Sequence, residues 1–433
     1  MIKEDMYSWL EELYPINRSI NGIGFDESLD FLISKMQTTP SVRTYSSGSK
    51  AGSWVVPQGW SVNAGHIKRL NGETVLDFRD SNLHIWSHSQ PISKVLSREE
   101  LANHLLSLPE QPNAIPYSTT YYEKKWGFSL AHNVLTDMKD ENYEVLIDSI
   151  FYDHSIKVMD LLIPGHTEQE ILFSTYLCHP SMANNELSGP VLMTALINYA
   201  LKKKRRYSFR FLIGPETIGP IFYLHENLNE IKERTLMGWN LTCVGDSMNW
   251  SLLQAKNIDS LPNQIALTLL NSYVKDFKTY DFNERGSDER QYSSPNVNIP
   301  MVSVMRSKYH EYPEYHTSLD DLKFVSPQSL FDTYDFYCKL IDFLDLEGNY
   351  FSNSIGEPFL NAFFERTKVG GRFAGYAPDF AALVNQFISH SDGSSLHEIA
   401  NILGISIEIA IDLARSALKL ELVQLVSFQK DVN

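Results

Sequence analysis

The alternation of apolar and polar residues predicts helices first and then short strands. Leu29, Leu32, Ile33 and Met36 form one apolar stripe, which predicts a helix over 26–37 after an earlier helix at 4–14. From about Ser46 the runs become short and strand-like, with a hairpin turn at 71–72. A capping-box spacing at 97–100 predicts a helix at 101–108. The strand-like runs lie at 54–57, 62–70, 74–78 and 83–86.

From Tyr143 onwards strands alternate with helices, the pattern of a mostly parallel sheet. We therefore predict an α/β fold in which helices cover both faces of the sheet. Strands are expected near 143–150, 156–163, 170–177, 208–214, 236–245 and 299–305. Helices are expected near 188–203, 218–228, 260–275 and 327–345.

Two further units interrupt and follow this α/β domain. We predict an α/β domain formed by 1–45 and 131–348, an inserted small β-rich domain at 46–130, and a winged-helix-like domain at 357–433. The last unit has three amphipathic segments and a final strand, the order of a winged helix. Its third helix carries Glu408 and Asp412 beside Arg415 and Lys419, a mixture that disfavours DNA reading.

Composition narrows the class of protein. A chain of 433 residues with a net charge of −16 is too acidic for a general nucleic-acid binder. Its three cysteines form no disulfide framework, which indicates a reducing compartment. We find neither a signal peptide nor an apolar run long enough for a membrane span. We expect a soluble cytoplasmic protein without membrane or nucleic-acid partners, and the insertion is a reasonable place for a homo-oligomer contact.

Ionisable side chains follow four of the predicted strands. They lie in the loops 179–186, 214–219, 245–246 and 309–321. In an open α/β sheet the carboxyl ends of parallel strands share one edge, where ligands bind. A hydrolytic zinc site needs two or three histidine or carboxylate ligands and a separate carboxylate base. Two histidines on different loops, Asp246 and Glu216 supply such a set. Cys178 beside His179 is a weaker nucleophile alternative, because neighbouring side chains on a strand point to opposite faces.

Five motifs resemble a known family: STYLCHPSMANNELSGP, PETIGPI, TCVGD, RGSDERQYSSP and EYPEYHTSLDDL. Their order is similar to that of M28-type zinc aminopeptidases. They more closely resemble a bacterial aminopeptidase-like family of unknown function, whose members carry a β-rich insertion and a C-terminal winged helix and often occur in surface-polysaccharide loci. The resemblance covers nearly the whole chain and implies a zinc-dependent hydrolase of amide bonds.

The resemblance also assigns roles to individual residues. It implies that His179, Asp246 and His316 are metal ligands and that Glu216 is the general base. Asn185 falls where relatives have an aspartate that bridges two metals, so Asn185 or the neighbouring Glu186 is the candidate third ligand. Thr217 stands where two-metal enzymes have a second glutamate. We therefore expect one zinc ion rather than two.

Two functional hypotheses remain open at this stage. The first is a zinc-dependent aminopeptidase-like hydrolase with a small peptide or amide-containing substrate, whose carboxylate Arg285 or Arg290 could bind. An internal ion-pair loop is an equal alternative for that arginine segment. The second hypothesis is a catalytically impaired scaffold or binding protein in surface-polysaccharide biosynthesis, since Asn185 and Thr217 both remove a carboxylate from the site.

Overall fold

The computed structural model describes residues 2–360 and 380–430. Its strands occupy β1 (Ser41–Ser46), β2 (Lys50–Ala51), β3 (Trp54–Val55), β4 (Gly59–Arg69), β5 (Thr74–Asp77), β6 (Ile92–Ser97), β7 (Leu105–Leu106), β8 (Phe128–Ser129), β9 (Asn142–Tyr152), β10 (Ser155–Ile163), β11 (Glu170–Tyr176), β12 (Ser208–Gly214), β13 (Thr235–Asn240), β14 (Trp250–Leu253), β15 (Phe277–Tyr280), β16 (Met301–Met305), β17 (Asn349–Ser352), β18 (Asp392–Ser395) and β19 (Val423–Val426).

The helices follow the same chain order. They are α1 (Ile2–Leu13), α2 (Ile23–Ser34), α3 (Arg98–Ala102), α4 (His132–Asp137), α5 (Ser188–Ala200), α6 (Ile218–Arg234), α7 (Leu261–Tyr273), α8 (Glu289–Tyr292), α9 (Pro327–Leu344), α10 (Phe380–Ser389), α11 (Leu396–Leu403) and α12 (Ile407–Lys419). In this described part of the chain, no helix combines the length and the apolar character that crossing a membrane requires.

The largest sheet has eight strands in the order β1-β10-β12-β11-β13-β16-β14-β15. Its centre is parallel, because β11 pairs in parallel with β12 and β13, and β13 with β16. Strands β1, β10 and β14 pair antiparallel towards the two edges. The mostly parallel sheet predicted from the sequence is therefore confirmed.

Helices cover both faces of this sheet. Phe173 and Phe211 point into a core built with α1, α5 and α9, whereas Leu172 and Leu212 point into a second core with α6. This division follows from the two-residue period of a strand, which sends alternate side chains to opposite faces. Each residue of β11 and β12 is buried: both strands have apolar residues at their centre, and the buried Glu170 of β11 is paired with Arg210 of β12.

A second, four-stranded sheet has the order β5-β4-β9-β6 and is antiparallel at every pairing. Strand β9 was expected in the large sheet, and that assignment is wrong. Its burial alternates, with Tyr143, Val145 and Ile147 packed in a separate core with Trp60. Such alternation is typical of an antiparallel sheet with one solvated face. The domain limits proposed from the sequence stay a prediction.

Two local expectations from the sequence are also corrected. The capping box of Ser97 and Glu100 is present, but its helix ends at Ala102 rather than near 108. Leu105 and Leu106 instead pair with Phe128 and Ser129 as short strands. The run 83–86 is not a strand, because Asn82–His84 forms a turn of 3-10 helix. Short apolar runs do not distinguish these conformations by pattern alone.

The C-terminal residues form a small unit around the sheet β18-β17-β19. Helix α11 is one of the three amphipathic segments predicted for this unit, and it ends at Gly404, whose φ of 61° is the left-handed conformation that favours glycine at a helix C-terminus. The helices α11 and α12 contact α7, and their apolar residues join the core of the α/β domain. Part of the predicted unit, 361–379 and 431–433, lies outside the described residues.

Candidate metal centre

The candidate metal centre begins at His179, just after β11. The Nδ1 atom of His179 lies 2.5 Å from Oε2 of Glu186, and the other oxygen of Glu186 accepts the backbone N–H of Cys178. Glu186 is fully buried. Burial disfavours the charged imidazole, but the contacts with Cys178 and Glu186 outweigh it and raise the pKa of His179 well above its ordinary value. Burial raises the pKa of the Cys178 thiol to about 12, so the charge that stabilises His179 is that of Glu186.

This contact determines which nitrogen of His179 is available. With Nδ1–H donated to a carboxylate, the second proton of the charged imidazole lies on Nε2, and loss of that proton would leave a lone pair there for a metal ion. A carboxylate behind a histidine is the usual arrangement for a metal-binding imidazole. Both oxygens of Glu186 are already engaged, so Glu186 is better placed to orient His179 than to serve as a ligand itself.

Glu216 faces the free side of His179. Its Oε2 atom lies 3.9 Å from Nε2 of His179, and 21% of its side chain remains exposed. Burial raises the pKa of Glu216, while the charge of His179 opposes that rise. Glu216 follows β12, so it lies at the same sheet edge as His179, as the sequence predicts for strand ends. A carboxylate so close to the free imidazole nitrogen is positioned to receive a proton.

The residue after Glu216 adopts a strained backbone. Thr217 has a φ of 67°, rare for a β-branched residue. Its N–H donates to Oδ1 of Asp288 at 2.7 Å, while the other oxygen of Asp288 is buried without a partner. Burial and the charge of Glu216 raise the pKa of Asp288 well above its usual range, although the N–H of Thr217 opposes this. The carboxyl group of Asp288 therefore supports the turn that carries Glu216.

His316 reaches the site from the loop before α9. Its ring centroid lies 5.2 Å from that of His179, and the ring of Tyr117 lies 4.9 Å from His179 and 5.4 Å from His316. The N–H of Tyr117 donates to the carbonyl of His316 at 2.8 Å, which joins the two loops. Burial, together with the charges of His179 and His310, lowers the pKa of His316 well below its ordinary value. A neutral imidazole is the form that binds a metal ion.

Asp246 lies in a dense buried hydrogen-bond network. Its Oδ1 atom accepts the N–H of Met248 at 2.9 Å and the hydroxyl of Ser307 at 2.8 Å. Its Oδ2 atom accepts the N–H of Ser307 at 2.9 Å and the amide of Asn184 at 3.0 Å. These four bonds leave little capacity for a metal ion, so the metal role of Asp246 stays a prediction.

Asn185 offers an oxygen without a hydrogen bond. Its amide nitrogen donates to the hydroxyl of Tyr176 at 3.0 Å, whereas its Oδ1 atom is buried and unpartnered. Its backbone N–H donates to Asp320, which also accepts the N–H of Asn184. Burial raises the pKa of Asp320 to about 7, despite these bonds. An unsatisfied buried oxygen is costly and is a candidate for a cation contact.

The donor atoms fit a metal ion only in part. Within the described ranges, the ligand atoms of Cys178, His179 and Glu186 lie within 4.8 Å of one another, and no other group of three His, Cys, Asp or Glu residues is this compact. Cys178 is a neutral thiol, and Glu186 is engaged as described above. The atoms that remain free are Nε2 of His179, the ring nitrogens of His316 and Oδ1 of Asn185. The number of metal ions that this set would hold stays a prediction.

The two candidate substrate-binding arginines have different surroundings. Arg290 donates from Nη2 to the hydroxyl of Thr217 at 2.8 Å and lines the cavity that contains His179 and Glu216. Arg285 lies further out, with its guanidinium 4.8 Å from the centroid of the Phe282 ring. The cavity has a volume of about 310 Å³ and is walled on one side by Trp54, Tyr121 and Tyr122. The substrate-binding role of Arg285 and Arg290 stays a prediction.

Sequence reasoning missed several residues of this site. Tyr117 comes from the inserted segment and meets His179 only through tertiary packing, so no periodicity could have placed it. Asp288 and Asp320 were recognisable as acids in the motifs RGSDER and HTSLDD, but their burial was not. The signal available for both was an acidic residue within a loop already assigned to the site.

The sheet, its covering helices and the loops at one edge define an aminopeptidase-like scaffold of the zinc exopeptidase type. A zinc aminopeptidase from Bacillus subtilis superposes with a TM-score of 0.55 at 12% identity, covering 78% of this chain and 93% of that one. An M28 peptidase precursor from Shewanella amazonensis gives the same TM-score and identity, covering 78% and 94%. At these identities the likeness concerns the fold.

The chain belongs to the family described as Domain of unknown function (DUF4910), which matches residues 7–347. A Clostridium acetobutylicum protein named for polysaccharide biosynthesis and an aminopeptidase-like domain is 36% identical over 424 residues, covering 98% of this chain and 96% of the relative. A crystal structure from the same organism has a TM-score of 0.87 at 35% identity, with coverage of 98% and 96%. The resemblance drawn from the five motifs is therefore confirmed.

Proposed function

We propose that this protein is a single-zinc hydrolase of amide bonds, acting on a peptide or an N-acylated or amidated substrate. The observation that carries the proposal is the pairing of His179 with Glu186 on one side and Glu216 on the other. The carboxylate of Glu186 fixes the imidazole, and the free Nε2 atom faces Glu216 across 3.9 Å. The held imidazole supplies one zinc ligand and the partly exposed carboxylate a general base, so the remaining ligands must come from the neighbouring loops.

His179 and His316 would hold the zinc ion, with Oδ1 of Asn185 as the remaining unpartnered oxygen. Asp246 would join them only by giving up part of its bonding to Ser307, Met248 and Asn184. When bound, a zinc ion would supply Lewis-acid activation of water and of the amide carbonyl. Glu216 would accept a proton from the attacking water and return it to the leaving nitrogen.

The cavity walls serve substrate binding in this proposal. Trp54 and Tyr122 meet edge to face, with ring centroids 6.0 Å apart, and form an apolar wall beside the reacting atoms. The ring of Tyr117 packs against both His179 and His316. The inserted segment therefore completes the cavity around Glu216 and His179.

The test is hydrolysis by the zinc-loaded protein and by Glu216→Gln. A panel of dipeptides, aminoacyl p-nitroanilides and N-acetylhexosamines, followed by mass spectrometry, covers the proposed substrate classes. We expect Glu216→Gln to keep its zinc and lose about 10²–10⁴-fold in rate, the usual contribution of a general base. Glu168→Gln, an exposed residue, is the matched control and should keep full activity. Zinc-dependent hydrolysis that survives Glu216→Gln would contradict the assigned role.

A second candidate is a non-catalytic scaffold in surface-polysaccharide biosynthesis, and the Clostridium relative is named for polysaccharide biosynthesis. The observation that favours it is the neutral amide of Asn185 together with the fully bonded carboxylate of Asp246. Asn185→Asp separates the two candidates. If this variant binds much more metal or gains much hydrolysis, the original site has lost its function and the scaffold is favoured. If the original protein is active with one ion and the variant still binds one ion, the single-zinc hydrolase is favoured.

A further inference from the structure

Arg290 lies where two cavities meet. The first cavity, of about 310 Å³, contains His179 and Glu216. The second, of about 590 Å³ and called here the outer cavity, is lined by Arg290 and by the exposed Lys256 and Arg285. Arg290 and Gln291 line both cavities, so a molecule extending from the reacting atoms towards the outside would pass the guanidinium.

The guanidinium of Arg290 has donor groups without a hydrogen-bond partner in the protein. Its Nη2 atom donates to Thr217, and its Nε atom is buried without a partner. No described carboxylate forms an ion pair with it. The buried Arg210, by contrast, pairs with Asp160, Glu170 and Glu230. In a chain of net charge −16, an arginine that faces a cavity without an ion pair is available to an external anion.

The outer cavity has a positive balance. Lys256 and Arg285 are both exposed there, and within the described ranges neither forms an ion pair. The acidic residue of the lining, Asp281, is engaged as a cap, since its Oδ1 atom accepts the N–H of Asn283 at 2.8 Å. Lys256 and Arg285 in the outer cavity, and Arg290 at the junction of the two cavities, would attract an anion and guide it inward.

We propose that the substrate carries an anionic group, a carboxylate or a phosphate, and that Arg290 binds it at the junction of the two cavities. This inference rests on the proposed function, because it places the amide bond beside Glu216 and the anion on the side towards Lys256 and Arg285. A guanidinium presents parallel N–H donors that match the oxygens of either anion. Gln291 adds a neutral side chain at the same junction of the two cavities.

A purely structural role for Arg290 gives a different expectation. Its bond to Thr217 supports the strained turn after Glu216, and its charge opposes the rise that burial causes in the pKa of Glu216. If that were its whole function, removing the guanidinium would lower stability and leave the affinity for anions unchanged. Anion affinity is therefore the readout that distinguishes binding from support.

The experiment measures calorimetric binding of D-glucuronate, glucose 1-phosphate and glucose to the full chain treated with a chelator. We expect one or both anions to bind at least about tenfold more tightly than glucose, and Arg290→Met to remove that preference, the effect of losing a charge-assisted hydrogen bond. The two anions distinguish a carboxylate from a phosphate site. Arg290→Lys should retain part of the preference, because it keeps the charge and loses the planar fork.

Arg79→Met is the control, since Arg79 is exposed and pairs with Asp77 on the inserted segment. It should bind like the original protein. Equal affinity for glucose and both anions, or an unchanged preference in Arg290→Met, would overturn the proposal. Because the measurement needs neither zinc nor hydrolysis, its failure is distinct from failure of the zinc site or of Glu216.

Discussion

Replacing Glu186 with glutamine tests how the protein prepares His179 for a metal ion. Glu186 accepts two donors, the N–H of Cys178 and Nδ1–H of His179 at 2.5 Å. A glutamine has one acceptor oxygen and must present its NH₂ group to the second donor. If that NH₂ group faces His179, it favours the tautomer with the proton on Nε2, the nitrogen that a zinc ion needs.

The expected loss can be estimated from these two bonds. A hydrogen bond to a charged group contributes about 1.5–3 kcal/mol, and disturbing the carboxylate behind a metal-binding histidine costs about 10–100-fold in metal affinity. We therefore expect Glu186→Gln to weaken zinc binding by about 10–100-fold and the free energy of unfolding of the metal-free protein to fall by about 2 kcal/mol.

The assay is a zinc titration in competition with a chromophoric chelator, with chemical denaturation in parallel. Glu168→Gln makes the same chemical change at an exposed position and should leave both quantities unchanged. If Glu186→Gln binds zinc within about threefold of the original protein, smaller than the effect expected for an orienting carboxylate, the reasoning about His179 is refuted.

Three further predictions concern stability and the site loop. His397→Asn breaks the buried contact of Nδ1 with Glu347 at 2.8 Å and should cost about 3 kcal/mol in denaturant unfolding. Burial lowers the pKa of His397, but the bond to Glu347 outweighs burial and raises it. The stabilisation from this bond is therefore complete below about pH 6.5 and declines as the pH rises through the folded-state pKa. A cost of His397→Asn that did not change with pH would contradict this. Gly189→Ala would push a Cβ atom against the carbonyl of Leu241 and should lower stability by about 1–3 kcal/mol, whereas an unchanged melting temperature would show that the helix can shift. Asn185→Asp should tighten zinc binding by at least about tenfold, because a carboxylate replaces a neutral oxygen ligand, and calorimetry showing no gain would remove Asn185 from the ligand set.

The parts of the fold that follow from local pattern were predictable. The central strands β11 and β12 are buried on both faces, and their short apolar runs, 171–173 and 211–213, were enough to locate them. Helix α11 has a capping box at Ser395 and Glu398 and a glycine at its end, so both bounds were readable. Strand β9 was located nearly correctly but assigned to the wrong sheet, because pairing partners are a long-range property.

The sequence predicted which loops come together at the candidate site better than it predicted the contacts between their side chains. The strand ends placed His179 and Glu216 at one edge, and the motifs added His316. The sequence could not show that both carboxylate oxygens of Asp246 accept hydrogen bonds, from Asn184, Met248 and Ser307, since most of these bonds join distant loops. It also could not show that Glu186 lies behind His179, which depends on the turn between them.

The most direct test of the central claim is the zinc content of the purified protein after zinc loading and exhaustive dialysis, measured by mass spectrometry beside His179→Asn. The proposed single-zinc centre built on His179 predicts about one ion per chain in the original protein and close to none in the variant. Absence of retained zinc in the original protein, or equal zinc in the two, would contradict that centre.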